Sequence, residues 1–181
     1  RTPGRGGPVL LFVRPTTDSG IEGIGEIFCT SFSPGVAAVM TEDVCERLVI
    51  GADPFKIERL WRIIYSSGYT QHPGLELMAI LSGVEMACWD IVGKELGKPV
   101  YELLGGQVHE RLRSYTYIYS EEGDATDVYT DPDLAAERAA SYAKRGFTAL
   151  KFDPVGPYSA FDPRQLSLKS LDRTERYVRQ L

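Results

Sequence analysis

Apolar residues recur at helical spacing most persistently between Leu77 and Ile91, where Leu77, Leu81, Val84, Cys88 and Ile91 step by four and three. Ala79, Met86, Ala87 and Trp89 widen that stripe until little of the helix suits water. A helix apolar on most sides is normally buried between layers of structure. Gly97 ends the pattern, with Lys94 and Lys98 near the negative end of the helix and Pro99 blocking continuation. A short helical turn from Val100 to Leu104 then leads into Gly105-Gly106, a joint. Upstream the period changes. Val9–Arg14 and Ile24–Phe28 are β-rich runs, and Thr17-Asp18-Ser19-Gly20 carries turn chemistry, so an antiparallel hairpin is predicted. Pro34–Val49 predicts a helix with Val36, Val39, Met40, Val44 and Leu48 inward. Asp53-Pro54 predicts an N-cap and first helical position for a helix that turns Ile57, Leu60, Trp61 and Ile64 to one side. Residues 1–106 read as a small α+β domain.

Beyond the joint the pattern alternates. Arg111–Tyr119 reads as a strand and Ser120–Thr130 as an acidic, mobile loop. Asp131-Pro132 caps a helix that runs to about Arg145, with Leu134, Ala135, Arg138, Ala139 and Tyr142 at helical spacing. Gly146 ends it, Phe147–Asp153 is a second strand, and Pro154–Leu166 is a loop. Ser170 is the expected cap of a last helix with Tyr177 and Val178 inward. Strand, helix, strand, helix is the alternation of a parallel sheet.

Ala79, Ser82-Gly83, Glu85, Ala87, Trp89-Asp90, Gly93-Lys94, Pro99 and Leu103-Leu104-Gly105 resemble, at fixed spacing, the signature of the mandelate racemase and muconate-lactonising enzyme family of the enolase superfamily. The resemblance implies an α+β N-terminal capping domain over residues 1–106, followed over 107–181 by the first two βα units of an incomplete TIM (β/α) barrel. A barrel of eight units needs roughly 200 residues or more. The chain is therefore expected to be the truncated front of a larger enzyme, with its first strand missing before the glycine-rich Arg1–Gly7.

Composition narrows the partners. Of 181 residues, 43% are hydrophobic and 25% charged, as in an ordinary globular protein. A net charge of −5 without a basic cluster argues against nucleic acid. No apolar run approaches a membrane span, and Arg1 does not open a signal peptide. Cys29, Cys45 and Cys88 are odd in number and lack CxxC spacing, which suits reduced thiols in a cytoplasmic protein.

The run Thr148–Pro154 is the main site candidate. Alternation puts Leu150 and Phe152 on one face and Ala149, Lys151 and Asp153 on the other. Lys151 and Asp153 are the candidate catalytic pair, since lysines change pKa readily with burial and charge. The plain alternative is a solvent-facing ion pair at a strand end, worth little. In the family, the resemblance implies, this strand carries Lys-x-Lys, whose second lysine abstracts the proton alpha to a carboxylate. Lys151 matches the first lysine and Asp153 replaces the second, which disfavours racemisation by two opposed bases. The run Lys151–Tyr158 resembles members acting on sugar acids, including 3,6-anhydrogalactonate cycloisomerases.

The resemblance further implies Mg2+ held by carboxylates on later strands, so no metal ligand is expected in this chain. It implies a small carboxylate, an acid sugar, as substrate, contacted by Phe32 and Tyr117, and a homo-oligomer as the full-length protein. Tyr117 reads equally well as a packed tyrosine, and Phe32, without the resemblance, reads more readily as an exposed or packed aromatic. His72 and His109 give no metal spacing, and mid-helix Asp90 is expected to hold a neighbouring backbone group or arginine. Glu121, Glu122, Asp124 and Asp127 read as a solvated charge run. The expected function is magnesium-assisted proton abstraction, in a dehydratase or cycloisomerase of a sugar acid. The alternatives are a muconate-type cycloisomerase, a racemase or epimerase, or a non-catalytic interaction module.

Overall fold

The computed structural model describes residues 10–28, 33–68, 73–155 and 166–181. They divide into two compact units, Arg1–Val108 and His109–Leu181.

The first unit is built on α3, Leu75–Leu96. Ala79, Ile80, Leu81, Gly83, Val84, Ala87, Cys88, Ile91, Val92 and Gly93 are buried along it, whereas Met86 is exposed, against expectation. Gly97 is left-handed at φ 62°. The Gly97 N–H donates to the Lys94 carbonyl at 3.3 Å and the Lys98 N–H to the Gly93 carbonyl at 2.9 Å, the paired bonds of a Schellman ending. The short α4, Val100–Leu103, follows.

Strand β1, Leu11–Val13, pairs antiparallel with β2, Gly25–Ile27, in the register Leu11 to Ile27. The turn between them closes on Thr17, whose carbonyl accepts from Gly20 and whose Oγ1 accepts from the Ile21 N–H, both at 2.9 Å. Asp90 on α3 accepts the Ile24 N–H at 2.9 Å and the Lys94 Nζ at 2.7 Å, and Lys94 also donates to the Glu22 carbonyl at 2.7 Å. Asp90 thus holds backbone, as its place in mid-helix led one to expect. The pair Asp90-Lys94 pins the hairpin to the helix.

Helix α1, Pro34–Val44, runs into a π-helical turn, Cys45–Val49. Its inward face is the expected one in part: Val44 is buried and Met40 and Leu48 pack partly, but Val36 and Val39 face out and Thr41 is buried beside Val44. Thr41 Oγ1 donates to the Ala37 carbonyl at 2.7 Å. A hydroxyl satisfied within its own helix packs as an apolar group. Asp53 caps a turn rather than the helix itself. It takes the Phe55 N–H on its side chain and the Lys56 N–H on its carbonyl, each at 3.0 Å. Helix α2, Ile57–Tyr65, begins only after it, and Leu60 and Ile64 enter the core as predicted.

Cys88 lies in that core. Burial, with Glu85 adding to it, pushes its thiol up to about 11, and burial also raises Cys45. Both are free cysteines. Reactivity belongs to the thiolate. At pH 8 in the native chain Cys88 is therefore expected to resist iodoacetamide, and to alkylate readily in denaturant, as mass spectrometry of timed aliquots would read. Rapid native labelling would mean that the packing around α3 is open.

In the second unit β3, Thr116–Tyr117, and β4, Leu150–Lys151, pair in parallel across α5, Pro132–Lys144. Both strands are shorter than the sequence pattern predicts. Asp131 caps α5 as expected, its carboxylate accepting the Asp133 and Leu134 N–H groups at 3.1 and 3.2 Å. Gly146 follows α5 at φ 99°. The last helix, α6, spans Leu168–Gln180. Its cap is Ser167, three residues before the expected Ser170, whose N–H donates to Ser167 Oγ at 3.2 Å. Tyr177 is buried as predicted, while Val178 is exposed. Among the described residues no helix is long and apolar enough to cross a membrane.

Candidate active site at the end of β4

Strand β4 has two unlike faces. Leu150 and Phe152 pack against Ile118, Val128 and Ala139, and the Phe152 ring meets Tyr177 of α6 with centroids 5.7 Å apart. Lys151 and Asp153 are exposed on the opposite side of the pleat. Helices cover one face, and the charged pair occupies the other.

Lys151 is not a buried amine. Its Nζ lies 4.8 Å from the centre of the Tyr117 ring and 5.8 Å from that of Tyr115. A hydrogen bond to Tyr117 raises its pKa above the usual 10.5, helped by the charges of Tyr115 and Tyr117 and, last, of Asp153. Such a lysine stays protonated at neutral pH. It can hold an anion there, but it has no lone pair with which to take a proton.

Tyr117 stands beside this ammonium, half-buried, with its ring 5.9 Å from that of Tyr119. The alternation Tyr115, Tyr117, Tyr119 puts three phenols on one face of the chain around β3, and the buried Ile118 on the other. That alternation is visible in the sequence and marks all three phenols, not Tyr117 alone. Tyr129 carries no such mark, and sequence reasoning misses it. Tyr129 packs against the Ile118, Val128 and Ala139 cluster that also takes Leu150 and Phe152, and burial raises its pKa, with the charges of Asp153, Tyr117, Tyr119 and Asp127 adding to the rise. Phe32 and His72 lie outside the described residues.

The loop that brings Tyr129 there is knit rather than loose. Asp127 accepts the Tyr129 N–H at 2.9 Å, and Ser120 Oγ accepts the Val128 N–H at 3.2 Å. Arg138 of α5 reaches back to ion-pair with Glu121 and, at 2.8 Å, with Asp124. The Arg138 and Asp124 side chains are only 11% and 14% exposed, so this pair is largely shielded, unlike the solvated run expected for these acids. Arg138→Ala should therefore cost the second unit about 2 kcal/mol, since it strands a half-buried carboxylate. Glu121→Gln, at a rim position, should cost under about 1 kcal/mol. Urea midpoints of the two variants check this, and equal losses would refute it.

Among the described residues no three His, Cys, Asp or Glu side chains gather in a way that could hold a metal ion. An open cavity of about 540 Å³ lies in the first unit, at the start of α2, lined by Phe55, Lys56, Arg59 and Arg62. Its cations Lys56 and Arg62 are already paired with Asp53 and Glu58.

Residues 5–105 match the family model of the mandelate racemase / muconate lactonizing enzyme N-terminal domain. The chain belongs to this family, within the enolase superfamily. It also resembles the family's sugar-acid dehydratases. It is 35% identical over 146 residues to a D-galactonate dehydratase of Xanthomonas euvesicatoria, a match covering 81% of this chain and 35% of that protein. A D-gluconate/D-galactonate dehydratase of Picrophilus torridus is 37% identical over 148 residues, covering 80% and 35%. The chain thus spans about a third of the length of these curated relatives. Among solved structures, a family member from Sulfitobacter superposes with a TM-score of 0.89 at 41% identity, covering 99% of this chain and 46% of that one. A Burkholderia SAR-1 protein assigned to the same family gives 0.87 at 56% identity, covering 94% and 42%.

Proposed function

We propose that this chain is the front part of a longer enolase-superfamily enzyme, a dehydratase that removes water from a sugar acid after a proton leaves the carbon next to the carboxylate. One observation carries the reading: in a member of this family, Lys151 and Asp153 stand on the face of β4 that the helices leave bare. In a (β/α) barrel that face lines the interior, and the carboxyl ends of its strands carry the chemistry. The β3–α5–β4–α6 order fits the first two units of such a barrel.

The roles follow from charge. Lys151, held protonated, takes the substrate carboxylate and offsets the negative charge that builds on it as the α-proton departs. Asp153 replaces the family's second lysine, and a carboxylate is a far weaker base than an amine. It is assigned to a substrate hydroxyl, as acceptor, which argues against racemisation by two opposed bases. Tyr117 flanks the pair and offers a phenolic donor to a further hydroxyl. Phe32 is assigned to the substrate on family grounds alone. Dehydration is preferred to cycloisomerisation because the curated relatives are named dehydratases of galactonate and gluconate. Magnesium enters through family membership only, and the described side chains do not form a site for it.

The test is to incubate the intact enzyme with magnesium and a panel of sugar acids, following mass and 2-keto product. Loss of water from an aldonate is the expected result. An isomer of unchanged mass would replace dehydratase by cycloisomerase, and inertness towards every acid sugar would refute the proposal.

A further inference from the structure

A lysine carries its ammonium on a flexible four-carbon stem, and Lys151 is exposed. A cation left free to wander must be ordered by the anion it binds, and the side-chain freedom lost then weakens the binding. Here two rings order it beforehand. Strands β3 and β4 pair with Tyr117 opposite Lys151, so the two side chains stand together on the face that the helices leave bare. The ammonium lies over both the Tyr117 ring and the Tyr115 ring, 4.8 and 5.8 Å from their centres. Both distances fall within the reach of about 6 Å at which the negative face of a ring attracts a cation. Asp153, two residues along the same strand, acts on the lysine least of the groups around it.

Tyr117 belongs to β3, whereas Tyr115 lies just outside the strand and is exposed. Its backbone is nevertheless fastened on both sides to the segment that carries Lys151. Before it, Arg113 donates through Nε to Thr148 Oγ1 at 2.9 Å and through Nη2 to the Thr148 carbonyl. After it, the Ile118 N–H donates to the Lys151 carbonyl at 3.1 Å. A ring mounted between two such ties stays in reach of the ammonium. We propose that the Tyr115 and Tyr117 rings together clamp the Lys151 ammonium in one place, and that Tyr115 is thereby a positioning residue for the carboxylate-holding lysine. The effect on turnover rests on the reading of Lys151 as the residue that takes the substrate carboxylate. The clamp itself does not. Because the ring face supplies the attraction, phenylalanine at 115 should serve and leucine should not.

The experiment reads the clamp with and without turnover. Lysines of the full-length enzyme are labelled with carbon-13 at Cε, and Lys151 is assigned with Lys151→Arg. In Tyr115→Leu the protons on that carbon should lose the upfield displacement that a ring face imposes, and Lys151 should titrate at lower pH than in the wild type. Tyr115→Phe should keep both signatures. On a sugar acid, Tyr115→Leu should lower kcat/KM about two- to fivefold, and Tyr115→Phe should recover most of the loss. In a Lys151→Met background Tyr115→Leu should cost nothing further, because the cation that the ring held is gone. A Lys151 resonance that does not move in Tyr115→Leu, or a loss of equal size with and without the lysine, overturns the inference. If the resonance moves while Lys151→Met turns over normally, the clamp stands and the site role of Lys151 fails.

Discussion

Replacing Gly25 with alanine is expected to cost the first unit about 4 kcal/mol, the sum of an overpacking penalty and the loss of one large buried side chain. The reason is a seam in which backbone lies on backbone. A Cβ on Gly25 would overlap the carbonyl oxygen of Gly83, and one on Gly23 would overlap that of Ala87. From the other side, a Cβ on Gly83 would run into Ile27 Cγ1 and lie 3.1 Å from the Glu26 carbonyl oxygen. Gly25 is opposed by main-chain atoms, so no change of rotamer relieves it. The hairpin must lift from α3, and Ile27 then leaves the core it shares with Leu81 and Val84. Gly20 is the control. It sits at φ 86°, and a Cβ added there would meet no atom within 4 Å, so Gly20→Ala should lose only about 1–2 kcal/mol to left-handed strain. Urea denaturation followed by circular dichroism compares them. If Gly25→Ala falls no further than Gly20→Ala, the seam does not matter.

The same seam gives part of the family signature a mechanical meaning. Gly83 and Ala87 are small where β2 crosses, Asp90 and Lys94 grip the hairpin backbone, and Gly93 accepts the Lys98 N–H at the helix end. The seam residues entered only through the family resemblance, whereas the end of α3 and the cap of α5 were legible because each leaves a local mark: Gly97 shortly before Pro99, and Asp131 before Pro132. The turn of Leu150 and Phe152 towards the covering helices was legible for a similar reason, since alternation is local too. What the pattern could not carry was satisfaction of polar groups at a distance. Thr41 is polar by type and apolar in effect, because Ala37 accepts its hydrogen bond, so the pattern missed it and gave Val36 and Val39 to a face that only Met40, Val44 and Leu48 share. The acids of the Ser120–Thr130 loop look like a solvated run until Arg138, far along the chain, gathers two of them. Tyr129 belongs to no periodic run at all. It reaches the cluster packed on β4 only because that loop folds, so nothing local could have marked it.

In the intact enzyme Lys151→Met should lower kcat/KM on a sugar acid by about 10²–10³, the loss typical when one preorganised donor to a developing anion is removed. Methionine keeps most of the stem and removes the ammonium that lies against the Tyr115 and Tyr117 rings, so the charge is lost with little change in bulk. The direction of the pKa decides how the loss should look. Lys151 is raised above 10.5, so it is charged throughout the neutral and mildly alkaline range, and any limb of the rate profile due to it must lie above that value. Between pH 7 and 9 the ratio of wild type to Lys151→Met should consequently be flat. Lys151→Arg separates charge from basicity. Arginine keeps the cation but cannot be deprotonated, so as an anion-holding residue it should retain most of the rate, whereas in place of a base it would be as inactive as methionine. A Lys151→Arg enzyme as poor as Lys151→Met, with a wild-type profile rising towards pH 10, would make Lys151 a proton acceptor and remove the basis for assigning it to the carboxylate. A Lys151→Met enzyme with unaltered turnover would remove β4 from the active site altogether.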